Sequence, residues 1–527
     1  MGVEITPVAG TVLASFAPMP LHPEPTRQGF RPCGVKVALL LAAVTLGIAA
    51  EPQALVGPEK TPPPVAEKMP ATKVPLPVAA AAAKGRGAGA EALADIARLH
   101  QVQVTIPRAE WDVLERDTYV VRGGAIMIDS LEDDITRADG RIVHIGGGFG
   151  GNFPWVHTDM TVAGKTIKDV AFRYKGNGSY SPDAGMHRSI KVKTELFGGK
   201  GDWDGLQTIN FNSGGRDPSR TREAMVFAIF RMAGVPASRT AYAEVRYTVP
   251  GLYDDAYGGL FTVIENVNKA FLKQALPPGT GLLMKPERMN GGVTYLGEDW
   301  ANYTGIYRPE REATDLEAKR VIEFARLVNR APVEEFRTKI ESYLDVDEFM
   351  RFLAVHALIH GSDSFLRGSH NFFIYLDPKD NRFRFIPWDE DGAMGNGGGG
   401  RGGFSNTGMY GIDLMAPWSS SNPLSSRLLS DPLSAARYQE VVRDIVAKAF
   451  NREALIPLVD KLEALVNLPL ILEDNAMTSR SEFEGRGGGG GGFGGGGFGG
   501  GSIYPRDFLE SRFRSVQQQM AGWGGKR

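Results

Sequence analysis

The chain has 527 residues, with 59 Lys plus Arg against 61 Asp plus Glu and a formal charge of −2. That length allows a substantial core and more than one domain, and the charge balance gives no default affinity for nucleic acid or an anionic membrane, so any charge-based function is local. A single cysteine, Cys33, excludes disulfides within the chain and a cysteine-based zinc site.

In chain order, residues 34–54, GVKVALLLAAVTLGIAAEPQA, hold an apolar run from Val37 to Ala50 behind Arg27, Arg31 and Lys36. This is the layout of a secretory signal peptide with an atypical leader, or of an N-terminal anchor, assigned to residues 1–54, and it predicts export to the periplasm, cell surface or exterior. Residues 55–95 are rich in Pro and Ala, lack aromatics and read as a disordered linker. One folded domain is expected over 96–475, then a glycine-rich low-complexity segment over 476–503 and a C-terminal helix over 504–527.

The folded part opens with strands. HQVQVTI alternates Val102, Val104 and Ile106, and further strands are expected at 141–145, 159–176, 188–196, 240–249 and 257–267. One helix, DPSRTREAMVFAIFRMAG at 217–234, interrupts them, with Asp217 as its expected N-cap. Beyond residue 310 helical patterns dominate: TDLEAKRVIEFARLVNRA, then DVDEFMRFLAVHALIHG with an Asp345/Glu348 capping box, then 433–467 and 504–523. Between them HNFFIYLD and FRFIPWD form a hairpin through PKDN. Strands followed by helices predict an α+β fold. The glycine tracts at 396–403 and 485–501 read as flexible loops, with a phosphate-cradling role weighed for the first because it follows the acidic cluster, and 146–151 is open to the same two readings.

The chemistry concentrates at IPWDED. Strand alternation sends Asp389 and Asp391 to one side and Glu390 to the other, and two carboxylates at that spacing suit Mg²⁺, Mn²⁺ or Ca²⁺. The hairpin brings Asn371 beside them as a further oxygen donor, and GSDSF places Asp363 on a nearby loop as a candidate general base. His356 and His360 stand one turn apart, but Ala357 follows where a zinc protease needs its Glu, so packing explains them better than zinc. On the strand side, Lys191 and Lys193 share a face opposite Ile190 and Val192, behind the glycine turn KGNGS, which is no Walker motif. Glu265 closes the strand YGGLFTVIE without a role that pattern alone assigns.

Taken together, HQVQVTIPRAEWDVL, RYKGNGS, KVK, INFNSGGRDPSRTREAMVFAIFRMAGVPASRT, YGGLFTVIENVNKAFL, LLMKPE and GSDSFLRGSHNFFIYLDPKDNRFRFIPWDEDGAMG resemble the CotH family of spore-coat kinases over roughly residues 98–450. The resemblance implies an atypical protein-kinase-like fold, with a β-rich N-terminal and an α-rich C-terminal part, using ATP with Mg or Mn, or Ca, to phosphorylate Ser/Thr. By that resemblance Asp389 binds metal with Asp391 assisting, Asn371 is a second ligand and Asp363 the catalytic base. Lys191 or Lys193 pairs with the α and β phosphates, with a slight preference for Lys193, and Glu265 lies near the nucleotide or its hinge. The expected partner is a Ser/Thr-rich protein, with a neighbouring gene as a candidate source, with no nucleic acid, and with membrane contact only through an uncleaved N-terminal segment. Two alternatives remain at this point: an inactive surface or structural protein with a divalent-metal site, and a D-x-D nucleotide-sugar transferase.

Overall fold

A computed structural model of the chain describes residues 92–120, 134–146, 151–176, 179–215, 217–286, 292–361, 364–366, 370–394, 412–418, 422–483 and 504–523. The N-terminal leader with Cys33, the linker up to residue 91, the glycine tracts at 396–403 and 485–501 and Asp363 lie outside the described residues. All described residues belong to one compact unit, Lys73–Arg527.

The architecture is α+β, with strands first and helices after. The chain starts with β1 (Leu99–Thr105) and α1 (Arg108–Asp117), followed by β2 (Tyr119–Val120), β3 (Asp134–Thr136), β4 (Ile142–Gly146) and β5 (Gly151–Pro154). Next come β6 (Val156–Val162), β7 (Lys165–Tyr174), β8 (Ile190–Lys193), β9 (Thr208–Asn212), α2 (Arg222–Met232), β10 (Thr240–Val249), β11 (Tyr253–Glu265), α3 (Lys269–Ala275) and β12 (Leu282–Met284). The helical part holds α4 (Ala301–Tyr307), α5 (Asp315–Arg330), α6 (Val333–Tyr343) and α7 (Val346–Leu358), then β13 (Phe372–Asp377) and β14 (Arg382–Pro387). It ends with α8 (Pro423–Ser430), α9 (Pro432–Lys448), α10 (Arg452–Phe483) and α11 (Pro505–Gly522).

Seven strands close a barrel in the order β1-β10-β11-β9-β8-β7-β6, while β2-β5-β4-β3 and β12-β13-β14 make two small sheets. Within the barrel β1 and β10 pair in parallel. Alternation decides what fills it: Val102, Phe172, Ile190, Val192, Phe211, Val245 and Phe261 share one buried cluster. Lys191 and Lys193, at the intervening positions of β8, are only partly buried.

Three local expectations are corrected. The run 159–176 is two strands, because Ala163 and Gly164 take φ of 50° and 78° and turn β6 back on β7; the alternation on both sides of AG hid a two-residue hairpin turn. The helix expected from 217 begins at Arg222, and Asp217 instead holds the preceding turn, its Oδ2 accepting from the Arg222 N–H at 2.8 Å. Asp345 does cap α7, accepting from the Glu348 N–H, but Glu348 does not reach back to complete a box. Its buried carboxylate accepts from the Phe385 N–H at 3.2 Å, tying α7 to β14.

The helical part is built on α7, whose residues are buried on nearly every side against α2, α9 and β14. Phe508, Leu509 and Val516 make α11 part of the same core. Among the described residues no helix is long and apolar enough to cross a membrane. The β13–β14 hairpin forms as expected, with Phe372 opposite Pro387, so Asn371 and Trp388 meet where it opens: the Trp388 N–H donates to the Asn371 carbonyl at 3.1 Å.

Candidate active site

Strands β7, β8 and β9 lie side by side, and their register sets Arg173 across from Lys191 and Lys191 across from Asn210. A row of cationic and amide groups therefore crosses the outer face of the barrel. Lys193, one pleat along, is already committed: its Nζ meets Asp134 Oδ2 at 2.6 Å and lies 5.1 Å from the Trp155 ring. Asp134 also accepts from Trp155 Nε1 at 2.8 Å, fastening β3 to the barrel. Among the described residues Lys191 has no such carboxylate. Burial, together with Arg173, Lys285, Lys193 and Lys175 around it, brings its ammonium down to about 7. A lysine held among four cations is poised for an anion.

Lys175, just past the end of β7, extends the row toward the acids. Its Nζ donates to Asn212 Oδ1 at 2.5 Å and lies 6.0 Å from the Trp388 ring. Burial lowers its pKa, and the charges of Asp389 and Glu223 oppose that shift. Asn212 also donates to both Glu223 oxygens, at 3.2 and 3.0 Å. Glu223 lies in the first turn of α2, almost fully buried. Burial, and then the neighbouring charges of Asp389 and Asp391, push its carboxyl well above the usual range.

The acidic turn departs from the alternation expected of a strand end. The ladder stops at Pro387, Asp389 adopts a left-handed φ of 54°, and Glu390–Gly392 form one turn of 3₁₀ helix. Residues in such a turn do not alternate, so Glu390 points inward and is 2% exposed, while Asp389 is exposed and Asp391 partly buried. The turn packs on α2, and the Arg222 Nη1 donates to the Asp391 carbonyl at 3.4 Å. Asn371, at φ 61°, sits at the mouth of the hairpin beside this turn.

The structure thus brings Asn371, Asp389 and Asp391 to one edge of the helical part and Lys191 to the facing edge of the barrel. Glu265 points elsewhere: its carboxylate is buried and held by Arg239, whose Nε donates to Oε2 at 2.8 Å and whose Nη2 donates to Oε1. Three side chains that pattern reading passed over complete the arrangement: Lys175, Glu223 and Lys285. Lys175 was visible in RYKGNGS, because it shares its face with Arg173. Glu223 was hidden inside a stretch read as continuous helix from Asp217.

Two kinds of ligand fit this chemistry. The Lys191, Arg173, Lys285 and Lys175 cluster suits a polyanion, and the mutually repelling Glu223, Asp389 and Asp391 suit a cation shared with it. Among the described residues no three His, Cys, Asp or Glu side chains converge on a ready-made metal site, so the acids are neighbours that lack a common focus.

The architecture is that of an α+β protein, a β-barrel with a cationic row beside a helical part that presents an acidic turn. The chain matches the family described as CotH kinase protein over residues 172–516 and belongs to the CotH family. Among curated proteins, the inner spore coat protein H of Bacillus subtilis (strain 168) is 21% identical over 286 residues, which cover 51% of this chain and 70% of that relative.

Proposed function

We propose that this protein is an exported, metal-dependent protein kinase that transfers the γ-phosphate of ATP to Ser or Thr of a coat or cell-surface protein. The observation that carries the reading is the joining of two opposite charge clusters at Lys175, whose ammonium feels both Lys191 and the Asp389/Glu223 pair. A metal–triphosphate has the complementary pattern: anionic oxygens toward the lysines, a divalent cation toward the carboxylates. The closed barrel, in place of a strand–glycine–helix opening, favours this over a nucleotide-sugar transferase.

In this reading Lys191 neutralises charge on the α and β phosphates, because Lys193 is spent on Asp134. Asp389, Asp391 and Asn371 hold the cation, Mg²⁺ or Mn²⁺, which when bound screens the charge that develops on the transferred group. Glu223, through Asn212, positions Lys175. Asp363 keeps the role that family resemblance implies, taking the proton of the attacking hydroxyl. The name of the Bacillus relative supports association with a coat or surface layer, and the apolar run at Val37–Ala50 supports export.

The test is transfer of labelled phosphate from ATP by the purified full chain, with Mg²⁺ or Mn²⁺, to itself and to a Ser/Thr-rich substrate, beside Asp389→Ala. Transfer by the wild type and its loss in the variant are expected. Cation binding without transfer would point instead to an inactive surface protein that retains a metal site.

A further inference from the structure

His356, in the last turn of α7, is fully buried, yet neither ring nitrogen has a hydrogen-bond partner. A histidine kept only for packing would satisfy at least one nitrogen or give way to leucine, since an unmade buried hydrogen bond costs about 1–3 kcal/mol. The ring is also held in orientation. Phe230 of α2 and Phe352 of α7 meet it edge-on, with centroids at 4.9 and 4.5 Å. Its Nδ1 edge faces Glu390 Oε1 at 3.7 Å. That same edge is closed by Gly361, where a Cβ would come within 2.8 Å of Nδ1.

We propose that His356 is a positioning residue for the cation site: through Glu390 it sets the 3₁₀ turn that carries Asp389 and Asp391. The inference rests on reading that turn as the cation-binding element. Glu390 is the central residue of the acidic triplet and the one turned into the protein, so its depth fixes how far its two neighbours project. The neutral imidazole donates one proton, and a shift of less than about 1 Å brings Nδ1 to hydrogen-bond distance of Oε1. Such a shift suits a turn drawn together when a cation gathers its flanking carboxylates. His356 touches neither substrate nor metal. It acts as metal-site partners beyond the ligands do, by orienting the groups that bind.

The test measures Mn²⁺ affinity of the full chain by calorimetry in the presence of ATP, alongside the thermal midpoint, for wild type, His356→Leu, His356→Asn, His356→Gln and Glu390→Leu. His356→Leu is expected to weaken Mn²⁺ binding about tenfold while the thermal midpoint holds or rises, because two unpaired nitrogens are gone. His356→Asn, which places an amide N–H near Nδ1, is expected to restore affinity. His356→Gln, whose amide reaches toward Nε2, is not. Glu390→Leu is expected to match His356→Leu, with no further loss when the two are combined. Wild-type affinity in His356→Leu, or equal affinities in the Asn and Gln variants should the Leu variant not fold, overturns the role of His356 alone. A wild-type chain that binds no Mn²⁺ with ATP overturns the cation-site reading and this inference together.

Discussion

Arg512 on α11 closes the C-terminal end of α7, its Nε donating to the Leu358 carbonyl at 3.1 Å and its Nη2 to the Ala357 carbonyl at 2.9 Å. The guanidinium is fully buried, and burial brings it down to about 10. It satisfies carbonyls that a helix end leaves open, and it adds a cation where the helix dipole favours one. Arg512→Met is therefore expected to lower unfolding stability by about 2–4 kcal/mol, several carbonyls losing their donor at once. Arg512→Lys should recover less than half, because an ammonium cannot fork between carbonyls. Denaturant titration checks both, and an Arg512→Met protein of wild-type stability would refute this account of α11.

Lys191 and Lys193 are two residues apart on one strand, and their surroundings separate them. Lys191→Met is expected to weaken ATP binding and reduce phosphate transfer by about two to three orders of magnitude, as for loss of one group that stabilises developing charge. Lys193→Met removes a part-buried ion pair with Asp134 and should leave ATP affinity nearly unchanged. Affinities and initial rates measured side by side decide; the reverse ranking would transfer the phosphate role to Lys193.

Because the Lys191 ammonium stands near 7 in the free protein, nucleotide binding should depend on pH. Below 7 it is charged before and after binding, and affinity is full. Above 7 the free protein must take up a proton to bind, so ATP affinity falls by up to about tenfold per unit. Calorimetry at pH 8 in buffers of different ionisation enthalpy should report uptake of about one proton, absent in Lys191→Met. For folding, the lowered pKa makes the contribution of Lys191 to stability present above its unfolded value near 10 and lost as pH falls through about 7. ATP should offset that loss.

Much of this was legible in the residues. Val102, Ile190 and Val192 announced buried strand faces by alternation, Asp345 announced a helix start, and PKDN announced the hairpin that brings Asn371 to Trp388. Period-two reasoning failed where the backbone stopped being a strand. Asp389 turns left-handed directly after Pro387 and Trp388, so Glu390 points in although alternation sent it out. Choosing between Lys191 and Lys193 needed Asp134, which lies 59 positions from Lys193. Glu223 needed the α2 packing that sets its carboxyl against Asp389 and Asp391. The last two failures concern contact between segments distant in sequence, which local pattern does not encode.

Glu223 gives the last prediction. Its carboxyl is buried with two other carboxylates nearby, so its pKa is raised in the folded chain relative to the unfolded one. The native state then binds the extra proton, and the stability this group contributes is full below the unfolded value of about 4.3 and lost as pH rises toward the folded pKa. Glu223→Gln removes that loss: the variant should melt with the wild type near pH 4 and increasingly above it toward neutrality. A divalent cation among the acids should reverse the order, because it lowers the Glu223 pKa and stabilises a wild-type chain that the amide variant cannot match. Thermal midpoints across pH 4–8, with and without Mn²⁺ and ATP, provide the check. A variant that responds to Mn²⁺ as the wild type does would remove Glu223 from the site.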